Sequence, residues 1–419
     1  MLKMISTQDL RLGMYVADVG RSWINHPWKS KHKLLTDQEE IRELLEFGIN
    51  SVMVDTDKSN PEVWLTPPAQ PAEPPKPTPV RTIAPPRPAP KPAPLKSTPE
   101  PVCQVEIEMA RAAKTYAKTL DTSKALLAAC RMNKKIELGP VTENVNELVE
   151  SVSRNRDALM ALMKLRNFDD YTYTHCLNVS VLAISTGKSL GLSQDELKTL
   201  GLGTMFHDLG KTRVPGHILN KAGKLSDDEF AIMRNHAAMS GDIILEQHLE
   251  VDEIVYKIAR HHHERIDGSG YPDHLKGEDI PGLVSICALS DVYDALTSDR
   301  VYHKGRAPHE ALKFIYSMRG SHFQPEWLDR FVQSVGIYPP GTVVALDSDQ
   351  IAVVMDVNQA ALNAPLVKLV ADPAGQIYSR PKLVDLASAS EAGGLKIKKV
   401  LSRDEAGFDP AYYFNPPKE

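Results

Sequence analysis

The chain has 419 residues, of which 42% are hydrophobic, and a formal net charge of −5. This length allows about two or three domains, and the hydrophobic share excludes a wholly disordered chain. The mildly acidic balance argues against a protein that coats nucleic acid, which needs a strongly basic surface. We recognise no signal peptide and no membrane span, and the four cysteines form no CxxC pair, so we expect a cytoplasmic protein with free thiols.

The first 66 residues predict a small α+β domain. Thr36 is placed to cap a helix over Asp37–Phe47, and Gly48 is placed to end it. The alternation of apolar residues from Ile49 to Val54 predicts a strand. No catalytic constellation is recognisable in this part, so we expect a regulatory or docking role for it.

A proline-rich stretch follows. Fifteen of the 31 prolines fall between Pro67 and Pro101. Proline lacks the backbone donor and the torsional freedom that helices and central strands require. We therefore predict an extended linker over residues 67–101.

Residues 102–165 predict connecting helices. The Ala-, Lys- and Met-rich stretch 104–135 is typical of a helix, and a second helix is expected after Pro140 with Thr142 as its cap. This second helix carries an apolar stripe at helical spacing. The stripe consists of Val145, Leu148, Val149, Val152, Leu159, Leu162 and Met163.

Helical periodicity continues through residues 166–335, which predicts an all-α domain, and it changes to a period of two beyond Pro339-Pro340-Gly341. Strands are expected around Val343–Ala345, over Ile351–Val357 and from Leu366, with a turn at Asp372–Gly375. We therefore predict a multidomain, mainly α protein, with a small β-rich appendage over residues 336–419.

Histidines concentrate in the predicted helical domain, which holds twelve of the fourteen between His175 and His322. His207 and Asp208 stand side by side between an apolar run and a glycine, and burying such a carboxylate is costly unless it meets a cation. Lys211 follows three residues later. Further candidates lie on separate predicted helices, and they are His175, His236, His262, His263 and Asp291. Five imidazoles and two carboxylates exceed what one cation needs, so they favour two metals bridged by a carboxylate.

Five histidines are expected to be ordinary solvated or core residues. They are His217, His248, His274, His309 and His322.

Residues His262 to Pro272 read His-His-Glu-Arg-Ile-Asp-Gly-Ser-Gly-Tyr-Pro. Together with His207-Asp208 and Lys211, this string resembles the HD-GYP family of cyclic di-GMP phosphodiesterases. The resemblance covers about residues 165–335. The N-terminal part, with Leu12-Gly-Met-Tyr-Val and the segment Trp23–Trp28, is similar to an uncharacterised domain often found ahead of HD-GYP domains.

The resemblance implies an HD-type helical bundle that opens cyclic di-GMP to pGpG, with GMP as the product of a second round. It implies that one metal is bound by His236, His262 and His263, and the other by His207, Asp291 and His175, with Asp208 as the bridge. Asp208 and Lys211 are the implied catalytic residues. Lys211, Arg300, Lys304 and Tyr271 are the implied substrate contacts. His261 falls outside the ligand set and is expected either to contact a ligand residue or to lie at the surface.

The expected cofactors are two divalent cations. Iron or manganese is favoured because the ligands are nitrogens and carboxylates and no thiolate is present to select zinc. Nickel and zinc are the alternatives. Some family members hold a third metal through a glutamate at the position of Tyr171, and a tyrosine there favours two metals. The family pattern has a lysine shortly after the arginine that corresponds to Arg300. That position is His303 here, and Lys304 is the next residue.

Three other functions stay open. They are hydrolysis of another cyclic dinucleotide such as cyclic GMP-AMP, non-enzymatic binding of cyclic di-GMP, and a general HD nucleotidase or phosphatase activity.

Residues Asp267–Pro272 are here called the GYP loop. This loop is a candidate edge of the active site. In the family it is also linked to contacts with cyclic di-GMP synthase domains. Helices within residues 104–165 offer a surface for a homodimer. A nucleic-acid polymer is not expected as a partner.

Overall fold

The computed structural model describes residues 2–18, 33–46, 51–61, 103–165, 171–221, 223–298 and 305–414. The chain divides into two compact units, Met1–Pro85 and Pro86–Glu419. The division falls within the proline-rich stretch predicted as a linker, and that stretch lies outside the described residues.

The first unit is a small α+β domain, as predicted. Its sheet has the order β1-β4-β2-β3 with antiparallel neighbours. Buried Val16, Leu35, Leu44, Val52 and Val54 belong to its core. Its elements are β1 (Leu2–Ser6), β2 (Tyr15–Asp18), β3 (Lys33–Leu34), α1 (Gln38–Glu46) and β4 (Ser51–Asp55).

The predicted cap of α1 is wrong by one residue. The Asp37 carboxylate accepts from the Glu39 backbone N–H at 3.1 Å, and the Glu40 carboxylate accepts from the Asp37 N–H at 3.2 Å. This reciprocal arrangement satisfies two backbone donors at the helix start, so Asp37 and not Thr36 is the cap. The predicted helix end at Phe47-Gly48 and the strand start at Ile49 lie outside the described residues.

The second unit is built mainly of helices, which confirms the predicted class. A 3₁₀ turn over Leu209–Arg213 follows α5. The helices are α2 (Val105–Arg131), α3 (Leu138–Leu165), α4 (Tyr171–Ser189), α5 (Gln194–Phe206), α6 (Gly216–Leu219), α7 (Asp227–Glu246), α8 (Glu253–His261), α9 (Gly282–Thr297), α10 (Pro308–Tyr316) and α11 (Pro325–Val335).

Helix α3 starts earlier than predicted. It begins at Leu138, with Pro140 inside its first turn, and the Thr142 hydroxyl donates to the Leu138 carbonyl at 3.0 Å instead of capping the helix. First-turn residues have no helical acceptor for their N–H groups, so proline fits there. The predicted apolar stripe is buried, except that Met163 is half-buried.

The C-terminal β structure is also confirmed. Its antiparallel sheet has the order β8-β7-β6-β5-β9. One face of β5 and β6, including Val343 and Val353, shares a core with the helices, and the other, including Val344 and Val354, packs in a second cluster. The elements are β5 (Val343–Leu346), β6 (Ile351–Asp356), β7 (Leu366–Ala371), β8 (Ile377–Asp385), α12 (Ala389–Ala392), β9 (Ile397–Leu401) and α13 (Arg403–Ala406).

Within the described residues, no helix combines the length and the apolar character that crossing a membrane requires.

Candidate metal centre

The bundle brings the seven predicted ligand residues together. His175 lies in α4, His207 and Asp208 follow the end of α5, and His236 lies in α7. His262 and His263 follow α8 directly, and Asp291 lies in α9. All are buried except His263, which is partly exposed. Five helices of one bundle therefore converge on this cluster.

Five histidines have nitrogens close enough to share cations in two groups. In the first group, His236 Nε2 lies 3.4 Å from His262 Nε2 and 3.1 Å from His263 Nε2. In the second group, Asp208 Oδ2 lies 3.4 Å from His175 Nε2 and 3.5 Å from His207 Nε2. Ligand atoms about 2.0–2.2 Å from one cation are separated by about 3–3.5 Å, and both groups match this spacing.

Asp208 stands between the two groups. Its Oδ2 faces His175 and His207, whereas its Oδ1 lies 3.4 Å from His236 Nε2 and 4.0 Å from His262 Nε2. One carboxylate oxygen thus faces each group, which is the arrangement that a bridging ligand needs.

Asp291 lies beside the second group. Its Oδ1 is 3.0 Å from His175 Nε2 and 3.9 Å from His207 Nε2. Its Oδ2 is 3.9 Å from His263 Nδ1 of the first group. Its carboxylate therefore adds a second negative charge to the cluster.

Three ligand imidazoles are oriented by their own helices. The Nδ1 atoms of His207, His236 and His262 lie 2.6, 2.7 and 2.9 Å from the carbonyl oxygen three residues earlier. Because Nδ1 donates its proton there, the lone pair of Nε2 points into the cluster. His207 Nε2 and Asp208 Oδ1 are buried and have no hydrogen-bond partner among the described residues. These orphaned acceptors fit divalent cations.

The charges of the cluster suit a cation. Burial lowers the pKa of His236 to about 4 and that of His263 to about 3, so both imidazoles are neutral at neutral pH. Burial opposes ionisation of Asp208, but Lys211 and the surrounding histidines outweigh it and hold its pKa well below the usual range.

His175 behaves differently from the other imidazoles. Burial lowers its pKa, but hydrogen bonds to Asp291 and Asp294 outweigh burial and raise the pKa to about 9. A cation beside the same carboxylates would replace that proton, because metal binding requires the deprotonated ligand.

Lys211 and the GYP loop border the cluster. Lys211 Nζ donates to Asp208 Oδ2 at 2.5 Å, and its side chain is 27% exposed. The Tyr271 ring centre lies 4.9 Å from that of His263 and 6.5 Å from that of His236. Lys211 and Tyr271 therefore both lie against residues of the ligand cluster.

Glu264 fixes the chain just beyond the GYP loop. Its buried carboxylate accepts from the backbone N–H groups of Asp273 at 2.6 Å and Leu275 at 3.1 Å. His261 Nε2 lies 2.8 Å from Asp273 Oδ2, so this third histidine of the triplet contacts the chain beyond the loop and belongs to neither ligand group.

Two of the predicted substrate contacts cannot be placed. Arg300 and Lys304 lie outside the described residues, as does His303. Tyr171 begins α4, but its side chain is outside the description. Of the histidines expected to be ordinary, His217, His248, His274 and His309 are exposed and His322 is partly buried. None of these five belongs to either ligand group.

Sequence reasoning missed Asp294 as a site residue. Its Oδ2 lies 2.7 Å from His175 Nδ1, and its Oδ1 accepts from Asn178 Nδ2 at 3.0 Å. The available signal was its place three residues after Asp291 on a buried helix, since such residues share a helix face.

A cavity of about 750 Å³ borders Asp294, Asn178 and Tyr116 and extends to the C-terminal sheet at Val343. None of the seven predicted metal ligands lines it. The cavity therefore does not mark the metal centre.

Sequence comparison connects this geometry to known proteins. The family model of the HD domain matches residues 143–327, and a domain of unknown function, DUF3391, matches residues 2–141. The second match extends across the proline-rich stretch and includes α2.

Three relatives are informative. Cyclic di-GMP phosphodiesterase PA4108 of Pseudomonas aeruginosa is 34% identical over 417 residues, covering 99% of this chain and 94% of the relative. The cyclic di-GMP phosphodiesterase response regulator RpfG of Xanthomonas campestris is 35% identical over 45% of this chain and 50% of its own length. The 3′3′-cGAMP-specific phosphodiesterase 2 of Vibrio cholerae is 30% identical over 47% of this chain and 38% of its own length.

Proposed function

This chain belongs to the HD-GYP family of cyclic di-GMP phosphodiesterases, and we propose that it hydrolyses cyclic di-GMP to linear pGpG in a metal-dependent reaction. The observation that carries the proposal is the Asp208 carboxylate, whose two oxygens face two separate groups of imidazoles. The likeness to PA4108 supports the same activity, because it extends over nearly the whole of both chains.

We propose that the cofactors are two divalent cations, iron or manganese. His236, His262 and His263 would hold one, and His175, His207 and Asp291 the other, with Asp208 between them. Imidazole and carboxylate ligands suit these metals, whereas neither group contains a cysteine that would favour zinc. When bound, two such cations supply Lewis acidity toward a phosphate and lower the pKa of water toward neutrality.

The chain's own residues bind and orient the substrate phosphate. Lys211 keeps its ammonium charge because, although burial opposes it, Asp208 and Asp291 raise its pKa. From its place beside Asp208 it can donate to a phosphate oxygen as negative charge develops there. Tyr271 borders the same region, and Arg300 and Lys304 are proposed as further phosphate contacts. The carboxylates of Asp208 and Asp291 balance the charge of the cations.

The proposal is tested on protein purified without oxygen. Metal content is measured, and the products formed from cyclic di-GMP are analysed with iron and with manganese. We expect about two metals per chain and accumulation of pGpG, with GMP only after a second round. Asp208→Asn should lose both hydrolysis and at least one metal, while His217→Ala, at an exposed histidine of the same domain, should retain both.

Two results would overturn the proposal. One is full activity with one metal or none, and the other is full activity of the Asp208→Asn variant. A parallel assay with cyclic GMP-AMP tests the alternative substrate, and faster hydrolysis of it would assign the chain to that activity. Tight binding of cyclic di-GMP without turnover would instead indicate a receptor.

The remaining expectations stay predictions. They are a cytoplasmic location, contact of the GYP loop with cyclic di-GMP synthase domains, and a homodimer through the connecting helices.

A further inference from the structure

We propose that Asp294, Asn178 and Tyr116 form a hydrogen-bonded relay that orients His175 as a metal ligand. Tyr116 would then be a positioning residue for a centre that it does not touch. This inference rests on the two-metal centre proposed above.

The orientation of His175 depends on a different helix from its own. The Nδ1 atoms of His207, His236 and His262 donate to carbonyl groups three residues earlier in their own chain segments. His175 Nδ1 instead lies 2.7 Å from Asp294 Oδ2 on α9, 119 residues away. A carboxylate that accepts the Nδ1 proton leaves the Nε2 lone pair for the cation. The ligand state of His175 is therefore set by tertiary contacts.

Asn178 holds the Asp294 carboxylate from the other side. It lies three residues after His175 on α4, and its Nδ2 donates to Asp294 Oδ1 at 3.0 Å. Ser298 Oγ donates to the same oxygen at 3.0 Å. With both oxygens occupied by donors, the carboxylate cannot turn without breaking a buried hydrogen bond, which is costly.

Tyr116 fixes the amide of Asn178. The Tyr116 hydroxyl donates to Asn178 Oδ1 at 2.7 Å, and its side chain is 1% exposed. Because the amide oxygen accepts this bond, the amide nitrogen must face Asp294. The donors thus run in one direction from the phenol to Asn178, and from Asn178 to the carboxylate that also accepts from His175.

The relay starts outside the HD domain. Tyr116 lies on α2, within the match of the domain of unknown function at residues 2–141, whereas its three partners lie within the HD-domain match at residues 143–327. The connecting helix α2 is therefore linked to the ligand set through the Tyr116 side chain.

The test measures Mn²⁺ binding to the metal-stripped full chain by calorimetric titration, with thermal unfolding of the metal-free protein beside it. Asp294→Asn should weaken one of the two sites about 10- to 100-fold, the usual effect of losing an outer partner of a ligand. Tyr116→Phe should weaken the same site about 2- to 10-fold, the range for one hydrogen bond. The second site should stay unchanged in both variants.

Tyr293→Phe is the matched control. This buried tyrosine adjoins Asp294 in α9, and its hydroxyl has no hydrogen-bond partner among the described residues. It should bind both ions as the wild type does. The inference is overturned if Tyr116→Phe and Asp294→Asn bind both ions normally, if they weaken both sites equally, or if Tyr293→Phe weakens one site as much as Tyr116→Phe. A wild-type chain that binds fewer than two ions would overturn the proposed centre itself.

Discussion

Gly270 is a position at which the GYP loop packs tightly against the backbone that follows the histidine ligands. A Cβ atom there would lie 2.3 Å from the Arg265 backbone nitrogen and 2.5 Å from Glu264 Cα. These are backbone atoms that cannot rotate away, so only glycine fits. The glycine of the motif is thus required for close approach, which places Tyr271 beside His263.

Gly270→Ala should displace the GYP loop. Overpacking of this kind costs about 1–3 kcal/mol, so we expect a lower Tm and slower hydrolysis. Metal content should be retained, because the ligands lie on the helices or directly after them and precede the GYP loop or belong to other elements. Metal analysis, thermal unfolding and the rate on cyclic di-GMP check this. Gly139→Ala, where a Cβ meets no atom within 4 Å, should leave the rate unchanged. A Gly270→Ala variant with wild-type Tm and rate would contradict the argument.

At the scale of the elements, the helices carry the ligands and also orient them. Helix capping fixes where the helices begin, as at Ser226, whose hydroxyl accepts from the Glu229 N–H at 3.2 Å at the start of α7. His236 then donates to a carbonyl of the same helix. The orientation of the His236 ring is therefore set within its own helix.

Removal of metal should loosen the packing of these helices. A ligand that binds only the folded state stabilises it by about 2.7 kcal/mol at a concentration 100 times its Kd. We expect a chelator to lower the Tm of the wild type and added Mn²⁺ to restore it. Differential scanning fluorimetry measures both. The Tm of Asp208→Asn should change less under either treatment. A wild-type Tm that a chelator leaves unchanged would contradict the metal centre.

At the scale of the whole molecule, every residue assigned to the metal centre lies in the second unit, Pro86–Glu419. The first unit has its own core, which includes Val16, Val52 and Val54. A chain that begins at Pro86 should therefore fold, bind two metals and hydrolyse cyclic di-GMP. Metal content and the rate under saturating substrate check this against the full chain. Loss of metal from the shortened chain would show that the first unit is needed to form the centre.

Local signals predicted the helices and strands well where periodicity was strong. The apolar stripe of α3 and the alternation in β5 and β6 are examples. Burial of one face of a helix or strand requires apolar residues at a regular spacing, and this spacing is visible in the sequence. Boundaries were less certain, because Thr36, Asp37 and Glu40 all offer capping groups and the geometry selects Asp37. Proline at position 140 is likewise compatible with the first turn of α3 and with a position just before the helix begins.

The sequence by itself determined the class of the fold, because burial of one face imposes a periodicity on the apolar residues. It also indicated the family, through the resemblance carried by His207-Asp208 and the string from His262 to Pro272. Only the tertiary structure decided that Asp208 faces both imidazole groups, that His261 contacts Asp273 instead, and that Asp294 holds His175. The contacts of Asp208 with His236 and of Asp294 with His175 join residues far apart in the chain, so no local pattern encodes their distance. Packing of the helices sets it.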